Sequence, residues 1–334
     1  MPVTVSPDPI ETLRAQSVTL PPPLADHLGP VLEALGPRIE QALRPYHVHL
    51  SPQPGGVGVK GDDTAVTLTV RMFEAIGEVQ RSTGRLDLAA MLDAVADVVP
   101  NALKHDLAYR LTGINHPLRP MSLSQVAFMN AMLHADRSLI FGVGPTGTGK
   151  THLAVAAGLS LLAEGRFKHL VITRPHVLME GEVMTPALRA ETGPDDQLTA
   201  VEDALHELIG HEALKRLMDS GQIEITPLGR MRGRTFNDSF IIVDEAQNMT
   251  VRKMRMVVTR IGRNARMVIT GDHAQVDLPG DEPSGLAHLL GLVEGTDLAL
   301  VHTFDRRQII RNDLVARLET LYAGEETPGL RAAA

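Results

Sequence analysis

The 334-residue sequence predicts an α/β protein in which a parallel sheet forms the larger domain and a small α+β domain precedes it. Three observations support this prediction. Beyond residue 120, short apolar segments alternate with helical ones, which is typical of a parallel sheet covered on both faces. A glycine-rich stretch joins one apolar segment directly to a helical one. Between residues 26 and 100, two helical stretches flank two short strand-like ones, which indicates a separate α+β fold.

Changes in composition divide the chain into five segments. Residues 1–25 are rich in proline and lack the basic start and apolar run of a signal peptide, so we expect a disordered leader. Residues 26–100 form the α+β domain, and residues 101–120 form a linker interrupted by glycine and proline. The α/β domain spans residues 121–323, and residues 324–334 form a flexible tail.

Bulk composition excludes several classes of protein. The chain has no cysteine, which excludes disulfides, thiol catalysis and cysteine-bound metals. No stretch approaches ~18 consecutive apolar residues, so we expect no transmembrane helix and no membrane partner. The expected location is the cytoplasm. The net charge of −8 argues against a protein that coats nucleic acid by bulk charge alone.

Six apolar segments are the predicted strands of the sheet. The helical stretches between them cover residues 151–164, 199–220, 252–262 and 284–294. Because strands and helices alternate, we expect the strands to run parallel, with ligands bound beyond their carboxyl ends. The strand segments are SLIFGVG (138–144), HLVITRP (169–175), IEITPL (223–228), FIIVDE (240–245), RMVITGD (266–272) and LALVHTF (298–304).

The stretch GPTGTGKT has the GxxxxGK[ST] pattern of a phosphate-binding loop, with a strand before it and a helix after it. Its glycines let backbone N–H groups face phosphates, and the helix N-terminus adds partial positive charge. We expect Lys150 to reach the β- and γ-phosphates and the Thr151 hydroxyl to ligate Mg²⁺. The predicted nucleotide-binding residues are Gly144, Pro145, Thr146, Gly147, Thr148, Gly149, Lys150 and Thr151.

The segment FIIVDEAQ supplies an acidic pair at the end of a strand. We expect Asp244 to hold Mg²⁺ together with Thr151, and Glu245 to polarise the attacking water. In ITGDHAQVDLP, Asp272 and Gln275 are placed to sense the γ-phosphate from an adjacent strand, and a surface turn is the alternative. The acidic pair and the loop together predict Mg²⁺-dependent hydrolysis of a nucleoside triphosphate.

The identity of the nucleotide follows by elimination. The sequence has no NKxD or TKxD motif, which argues against a guanine-specific GTPase and favours ATP. Gln125, upstream of the first strand of the sheet, is the candidate for reading the adenine edge.

Two other patterns are rejected as sites. Residues 56–61, GVGVKG, match the dinucleotide pattern GxGxxG, and their last four letters match the GxxG loop of KH domains, but the stretch is strand-like. His206 and His211 imitate a zinc motif, yet the second histidine falls at i+5 instead of i+4. The two rings would diverge by roughly 140° around one helix. We predict no cofactor and no zinc at these positions.

Taken together, these stretches resemble the PhoH-like ATPases, the phosphate-starvation-inducible family. The resemblance covers roughly residues 121–322 and is carried by GVGPTGTGKTHLAVA, VITRP, IEITPLGRMRGRTFNDSFIIVDEAQNMT, TRIG and MVITGDHAQVDLP. It implies ATP hydrolysis on a RecA-like P-loop core, kinship with helicase motor domains and a role in RNA metabolism. The amino-terminal unit is similar to the degenerate KH-like domain of many members. The resemblance also implies an RNA-processing partner such as the YbeY endoribonuclease.

The chain departs from the family pattern in three places. The turn SPQPGG replaces the usual basic hairpin of the KH-like domain, and residues 181–200 do not follow the usual segment after VITRP. In FDRRQIIRNDLV, Gln308 and Asn312 stand where the family usually has Asp and His, whereas Arg311 is kept. None of these changes touches the predicted phosphate site.

The sequence contains one motor lobe, which lacks an arginine donated across a cleft. Such an arginine is worth about 10³–10⁵ in rate in related enzymes of phosphoryl transfer. We therefore expect a homo-oligomer, a ring such as a hexamer, in which the arginine of one subunit enters the site of its neighbour. The candidates are Arg311, Arg234 and Arg260, and the alternative for each is a local salt bridge.

Basic residues cluster around the FIIVDE strand. Between Arg230 and Arg266 there are nine bases against three acids, whereas between Glu180 and Glu224 there are three bases against eleven acids. Arginine suits phosphate contacts, but aromatic residues are only 3%, so we expect no base-stacking platform. Any RNA binding should be backbone-directed and salt-sensitive. Ordinary solvated faces are the alternative explanation of the charge asymmetry.

Three functions remain open at this point. The preferred one is an RNA-linked ATPase motor with weak helicase activity. The alternative is an ATP-driven remodelling factor for a protein partner, which RNA-independent ATPase activity would favour. The third is a nucleotide-binding switch with negligible turnover, and the intact Glu245 argues against it.

Overall fold

The structure is a computed structural model of the 334-residue chain. Its described residues fall into two compact units, which divide between Asp136 and Arg137. Arg311, Gln308, Asn312, residues 181–198 and the tail at 324–334 lie outside the described residues. The described residues are 14–20, 22–43, 46, 48–175, 199–273, 275–276, 278, 282–305 and 309.

The first unit is a small α+β fold. Its elements are β1 (Arg14–Thr19), α1 (Pro22–Ala25), α2 (Leu28–Ala42), β2 (Val48–Gln53), β3 (Gly56–Gly61), α3 (Asp63–Thr83), α4 (Leu88–His105) and α5 (Leu123–His134). The three strands form an antiparallel sheet in the order β1-β3-β2. The letters GVGVKG form β3, as the strand-like reading predicted, so the GxxG pattern lies in a strand and not between helices.

The amino-terminal segment differs from the expected disordered leader at 1–25. Its described part contains β1, which pairs with β3 along its whole length, and the helical turn α1. Val18, Leu20 and Leu24 are buried in the core of the first unit. The apolar residues among the prolines therefore have a place to pack, which a reading of local composition does not reveal.

The division between the units also differs from the predicted linker at 101–120. Helix α5, which was assigned to the α/β domain, belongs to the first unit. Leu123 of α5 packs in the first core. The Tyr109 hydroxyl lies 3.1 Å from the Val126 carbonyl oxygen and 2.6 Å from Oδ1 of Asn130, which attaches the connector to the same helix.

The second unit contains the predicted α/β alternation. Its elements are β4 (Leu139–Val143), α6 (Lys150–Ala163), β5 (His169–Thr173), α7 (Thr199–Ile209), α8 (His211–Asp219), β6 (Ile223–Ile225), α9 (Leu228–Met231), β7 (Ser239–Val243), a short 3₁₀ helix (Ala246–Asn248), α10 (Val251–Val258), β8 (Arg266–Gly271), α11 (Gly285–Val293) and β9 (Leu300–Thr303). Each of the six predicted strand segments overlaps one of these strands.

The six strands form one parallel sheet in the order β6-β5-β7-β8-β4-β9. Every residue of β7 and β8 is buried, because helices cover both faces of the sheet. Phe240 of β7 contacts α6, whereas its neighbour Ile241 packs with α10 and α11 on the opposite face. The predicted fold class, an α/β protein with a parallel sheet preceded by a small α+β unit, is confirmed.

The predicted helix at 199–220 is two helices. Gly210 interrupts it with φ 78° and ψ 162°, a conformation that is essentially restricted to glycine. The break brings the rings of His206 and His211 into a stack with centroids 5.1 Å apart, so the divergence expected on one continuous helix does not occur. In the part of the chain that the structure describes, no helix is both long enough and apolar enough to cross a membrane.

Candidate nucleotide-binding site

Polar residues converge at the carboxyl edge of the parallel sheet. β4 ends before the phosphate-loop pattern, β7 ends before Asp244, and β8 ends before Asp272. Because β8 lies between β4 and β7 and all three strands are parallel, these ends are neighbours. This is the position at which open α/β sheets bind ligands.

The phosphate-loop pattern forms the connection between β4 and α6, with φ of 142°, 85° and 83° at Gly144, Gly147 and Gly149. A Cβ atom on Gly144 would lie 2.5 Å from the carbonyl oxygen of Phe304, which follows β9. The Phe304 N–H also donates to the Val143 carbonyl at 2.7 Å. The start of the loop is therefore held directly against the end of the outermost strand.

Lys150 is the first residue of α6, and its ammonium group lies inside the loop. Nζ donates to the carbonyl oxygens of Gly144 at 2.7 Å and Pro145 at 2.6 Å, and it lies 3.3 Å from Oγ1 of Thr148. The residue is 8% exposed. Burial lowers the pKa of Lys150, and the nearby carboxylates of Asp272, Glu245 and Asp244 act in the opposite direction. The negative charge of these carboxylates favours the protonated form of Lys150, which is the form that binds phosphate.

Asp244 is fixed by two hydroxyl groups from different elements. Its Oδ1 accepts from Oγ1 of Thr151, on α6, at 2.8 Å and from Oγ1 of Thr270, on β8, at 2.6 Å. Its Oδ2 is buried and has no hydrogen-bond partner among the described residues. Burying a carboxylate oxygen without a hydrogen-bond donor costs free energy, and a bound cation would offset that cost at Oδ2.

The donor set at Asp244 fits Mg²⁺. The cation prefers oxygen ligands and is usually held by one or two carboxylates together with substrate phosphates and water. Asp244 offers a carboxylate, and Thr151 offers a hydroxyl in contact with it. No cluster of three or more histidine, aspartate or glutamate side chains suited to a metal occurs in the described residues.

Glu245 has an uncommon backbone conformation and a carboxylate with two partners. Its φ of 51° and ψ of 40° are left-handed, which costs of order 1 kcal/mol or more in a residue with a side chain. Oε2 accepts from Nε2 of Gln247 at 2.6 Å, and Oε1 lies 3.4 Å from Nη2 of Arg174. The turn after β7 is therefore built to hold this carboxylate beside Asp244.

Asp272 and Gln275 occupy the loop after β8. Asp272 is buried, and its N–H donates to Oε1 of Gln247 at 3.0 Å. The Gln275 N–H donates to the Asp272 carbonyl at 3.2 Å, and Oε1 of Gln275 accepts from Oγ1 of Thr146 at 2.8 Å. Gln275 thus contacts the phosphate loop through Thr146, and Asp272 contacts Gln247. Sensing of the γ-phosphate by these two residues stays a prediction.

The other predicted residues among those described have local hydrogen-bond partners. Gln125 belongs to the first unit, where it is buried and its Oε1 accepts from the Met121 N–H at 2.7 Å. Its adenine contact stays a prediction. Arg234 donates to both carboxylate oxygens of Glu224, at 2.5 and 2.7 Å, and lies over the ring of Phe236. The hydrogen bond from Arg234 lowers the pKa of Glu224.

Arg260 is likewise engaged within its own chain. It donates to the carbonyl oxygens of Met256 at 3.1 Å and Arg234 at 3.2 Å. For Arg234 the structure contains the local salt bridge that was the alternative to donation between subunits, whereas the contacts of Arg260 are hydrogen bonds to uncharged groups.

Three residues of the site were missed by sequence reasoning. Thr270 bonds Asp244, Gln247 bonds Glu245 and Asp272, and Arg174 pairs with Glu245. Thr270 is the one hydroxyl residue in the strand segment at 266–272, and Arg174 follows a strand at the same edge. These two features are visible in the sequence, but they indicate a contact with the acidic pair only when the order of the strands is known.

The phosphate loop follows β4, and the acidic pair follows β7, which is separated from β4 by β8 alone. This arrangement on a parallel sheet defines a P-loop ATPase-like protein. The family model described as PhoH-like protein matches residues 117–323. The chain is 39% identical over 271 residues to a PhoH-like protein of Bacillus subtilis (strain 168), covering 79% of this chain and 84% of that one. It is 34% identical over 261 residues to a PhoH-like protein of Mycobacterium tuberculosis (strain H37Rv), covering 73% of each. The chain belongs to the PhoH-like protein family.

Solved structures are more distant. The Pif1 helicase from Candida albicans matches with a TM-score of 0.33 and 17% identity, covering 60% of this chain and 43% of that one. The SWI2/SNF2 ATPase core of Sulfolobus solfataricus in complex with dsDNA matches with a TM-score of 0.36 and 14% identity, covering 67% and 56%. Similarity at this level supports no inference about function.

Proposed function

We propose that this PhoH-like protein binds ATP with Mg²⁺ and hydrolyses it, as an oligomeric motor linked to RNA in the cytoplasm. The observation that carries the proposal is the Asp244 carboxylate, bonded through one oxygen to Thr151 and buried without a partner at the other. Beside it, Glu245 is held by a left-handed turn. A cation ligand and a carboxylate base are adjacent, as phosphoryl transfer to water requires.

The chain's own residues divide the chemistry among them. Lys150 exchanges its contacts with the loop carbonyls for contacts with the β- and γ-phosphates. Thr151 and Asp244 would hold Mg²⁺, which would supply positive charge to the phosphate oxygens. Glu245 accepts a proton from the water whose oxygen bonds to the γ-phosphorus, while the bond from that phosphorus to the ADP oxygen breaks.

An arginine from a neighbouring subunit completes the site in this proposal. The described part of the site contains Arg174, which is paired with Glu245, and the local contacts of Arg234 and Arg260 occupy those two guanidinium groups. These contacts favour Arg311 as the donated residue. The proposed assembly is a ring such as a hexamer, which a head-to-tail contact between subunits forms when it closes on itself.

The RNA link is supported by exposed basic residues around β7. Arg252, Lys253 and Arg255 are exposed on α10, which follows the acidic pair, and Arg230 and Arg232 are exposed before β7. Such groups suit contacts with a phosphate backbone. Weak helicase activity and an RNA-processing partner such as the YbeY endoribonuclease are consistent with this surface and belong to the same proposal.

The decisive experiment is a steady-state ATPase assay with and without Mg²⁺ and single-stranded RNA, at two salt concentrations. We expect Mg²⁺-dependent turnover, loss of about 10³-fold or more in Lys150→Ala, and stimulation by RNA that fades at higher salt. A wild-type protein without turnover contradicts ATP hydrolysis. Turnover that RNA leaves unchanged contradicts the RNA link and favours the remodelling of a protein partner.

A further inference from the structure

Gln247 occupies a buried position between two parts of the candidate site. It lies in the 3₁₀ helix that follows Glu245 and is 1% exposed. Its Nε2 donates to Oε2 of Glu245 at 2.6 Å, and its Oε1 accepts from the N–H of Asp272 at 3.0 Å. One side chain therefore connects the turn after β7 to the loop after β8.

The chemistry of the two contacts requires an amide. The Glu245 carboxylate only accepts, and the Asp272 N–H only donates, so the residue between them must donate at one end and accept at the other. The two partners also fix the orientation of the amide, which its own geometry leaves ambiguous. A glutamate at this position lacks the donor, and an asparagine lacks the length.

The contact at Asp272 continues to the phosphate loop. The Asp272 carbonyl accepts from the Gln275 N–H at 3.2 Å, and Oε1 of Gln275 accepts from the Thr146 hydroxyl at 2.8 Å. A chain of four hydrogen bonds thus runs from Thr146, inside the phosphate-binding pattern, to the carboxylate of Glu245. Gln247 makes the last two of these bonds.

The surroundings leave this amide little freedom. A Cβ atom on Gly271 would lie 2.7 Å from Oε1 of Gln247, so β8 passes directly beside the side chain. The main-chain carbonyl of Gln247 accepts from Oγ of Ser284 at 3.0 Å, which anchors the 3₁₀ helix to the residue before α11. The amide is held between fixed elements and moves only if its partners move.

We propose that Gln247 is a positioning residue that couples the phosphate loop to Glu245, an inference that rests on the proposed hydrolysis of ATP. A ligand that displaces Thr146 shifts the Gln275 and Asp272 backbone, and Gln247 passes that shift to the carboxylate. The residue acts on turnover through Glu245 and makes no contact with phosphate itself.

The first test separates turnover from binding. In Gln247→Met, which keeps the length and removes both bonds, we expect kcat to fall roughly 10- to 100-fold, while the Kd for a fluorescent ATP analogue stays within about three-fold. Ser284→Ala is the matched control, because it removes a contact to the backbone of Gln247 and leaves the amide intact. Wild-type kcat in Gln247→Met, or an equal loss in Ser284→Ala, overturns the proposal.

The second test asks whether the four bonds act as one chain. Thr146→Val breaks the bond at the loop end, and we expect the double variant with Gln247→Met to be no slower than the slower single variant. A product of the two single effects overturns the coupling. If Gln247→Met does not fold, Gln275→Ala takes its place, since that side chain is exposed, and unchanged turnover there has the same consequence.

The third test does not depend on turnover. Loss of the acceptor at Gln247 should speed amide hydrogen exchange in the peptide spanning residues 269–276 of Gln247→Met, and not in Ser284→Ala. A wild-type protein that fails to hydrolyse ATP refutes the proposed function, whereas unchanged exchange in Gln247→Met refutes the link between Gln247 and Asp272.

Discussion

The Thr270 hydroxyl donates a 2.6 Å hydrogen bond to Oδ1 of Asp244, the same oxygen that receives the Thr151 hydroxyl. Thr270 belongs to β8, which carries neither the phosphate loop nor the acidic pair. Two donors on one oxygen fix the carboxylate and leave its second oxygen for a cation. Within β8 itself, Thr270 thus contributes to the site by orienting Asp244.

Thr270→Val tests this role. Removing a buried donor to an ionised carboxylate should lower the free energy of unfolding by about 1–3 kcal/mol. The Mg²⁺ concentration for half-maximal ATPase activity should also rise several-fold, because the carboxylate is less well oriented. Thr303→Val, on an exposed position of β9, is the control. Wild-type Mg²⁺ dependence in Thr270→Val would contradict the orienting role.

His302 predicts a specific dependence of stability on pH. Burial lowers its pKa from 6.5 to about 4. Between these values the unfolded chain binds the proton and the folded chain does not. The stability associated with His302 is therefore complete above pH 6.5 and is lost as the pH falls toward 4, by about 2–3 kcal/mol at pH 4.5.

Urea unfolding at pH 7 and pH 4.5 measures this effect. His302→Gln should lose less stability than the wild type between the two values, by that amount. His288→Gln, at an exposed position of α11, should keep the wild-type difference. Equal losses in His302→Gln and the wild type would show that burial does not keep this ring neutral.

The candidate arginines should separate by their effect on turnover. The Arg234–Glu224 pair is substantially exposed, so Arg234→Ala should cost at most about 1 kcal/mol of stability and change kcat little. Arg311→Ala should lower kcat by about 10³-fold. Mixing it with Lys150→Ala should restore part of the activity, since each protein then supplies what the other lacks. Absence of rescue argues against donation between subunits.

Gly210 and Gly291 form a matched pair for stability. Gly210 has φ 78° and ψ 162°, so Gly210→Ala should destabilise by about 1–3 kcal/mol. Gly291 lies inside α11 with nothing within 4 Å of an added Cβ, so Gly291→Ala should stabilise by roughly 0.5–1 kcal/mol. Thermal unfolding of both variants checks the signs. A Gly210→Ala variant as stable as the wild type would mean that α7 and α8 can form one continuous helix.

The central strands β4, β5, β7 and β8 were predictable because almost all of their residues are buried, and burial on both faces leaves an apolar run that is visible locally. The phosphate loop was predictable because its residues are contiguous in the sequence. β1 was not, because the strand that pairs with it lies about 40 residues further along the chain. Nor was the membership of α5 in the first unit, which depends on contacts of Leu123 and Tyr109.

The supporting residues of the site were hidden for a related reason. Asp244 and Glu245 follow an apolar strand, and that position alone made them candidates. Thr270, Gln247 and Arg174 gain their meaning from the strand order, in which β8 lies between β4 and β7, and β5 lies beyond β7. Sequence patterns give the direction of such strands but not their order, so the contacts across them could not be derived.

The position of Phe304 changes the explanation for the first glycine of the loop. A Cβ atom on Gly144 would lie 2.5 Å from the Phe304 carbonyl oxygen, and the φ of 142° is itself unfavourable for a residue with a side chain, so both packing and backbone conformation require glycine. Alanine should therefore be strained there even in a relative or a designed protein whose sixth strand stops one residue earlier, because a φ of 142° disfavours any residue with a Cβ atom. In the GxxxxGK[ST] pattern, the first glycine is thus required by the packing of the fold, whereas the last two residues, Lys150 and Thr151, are the ones predicted to bind the ligand.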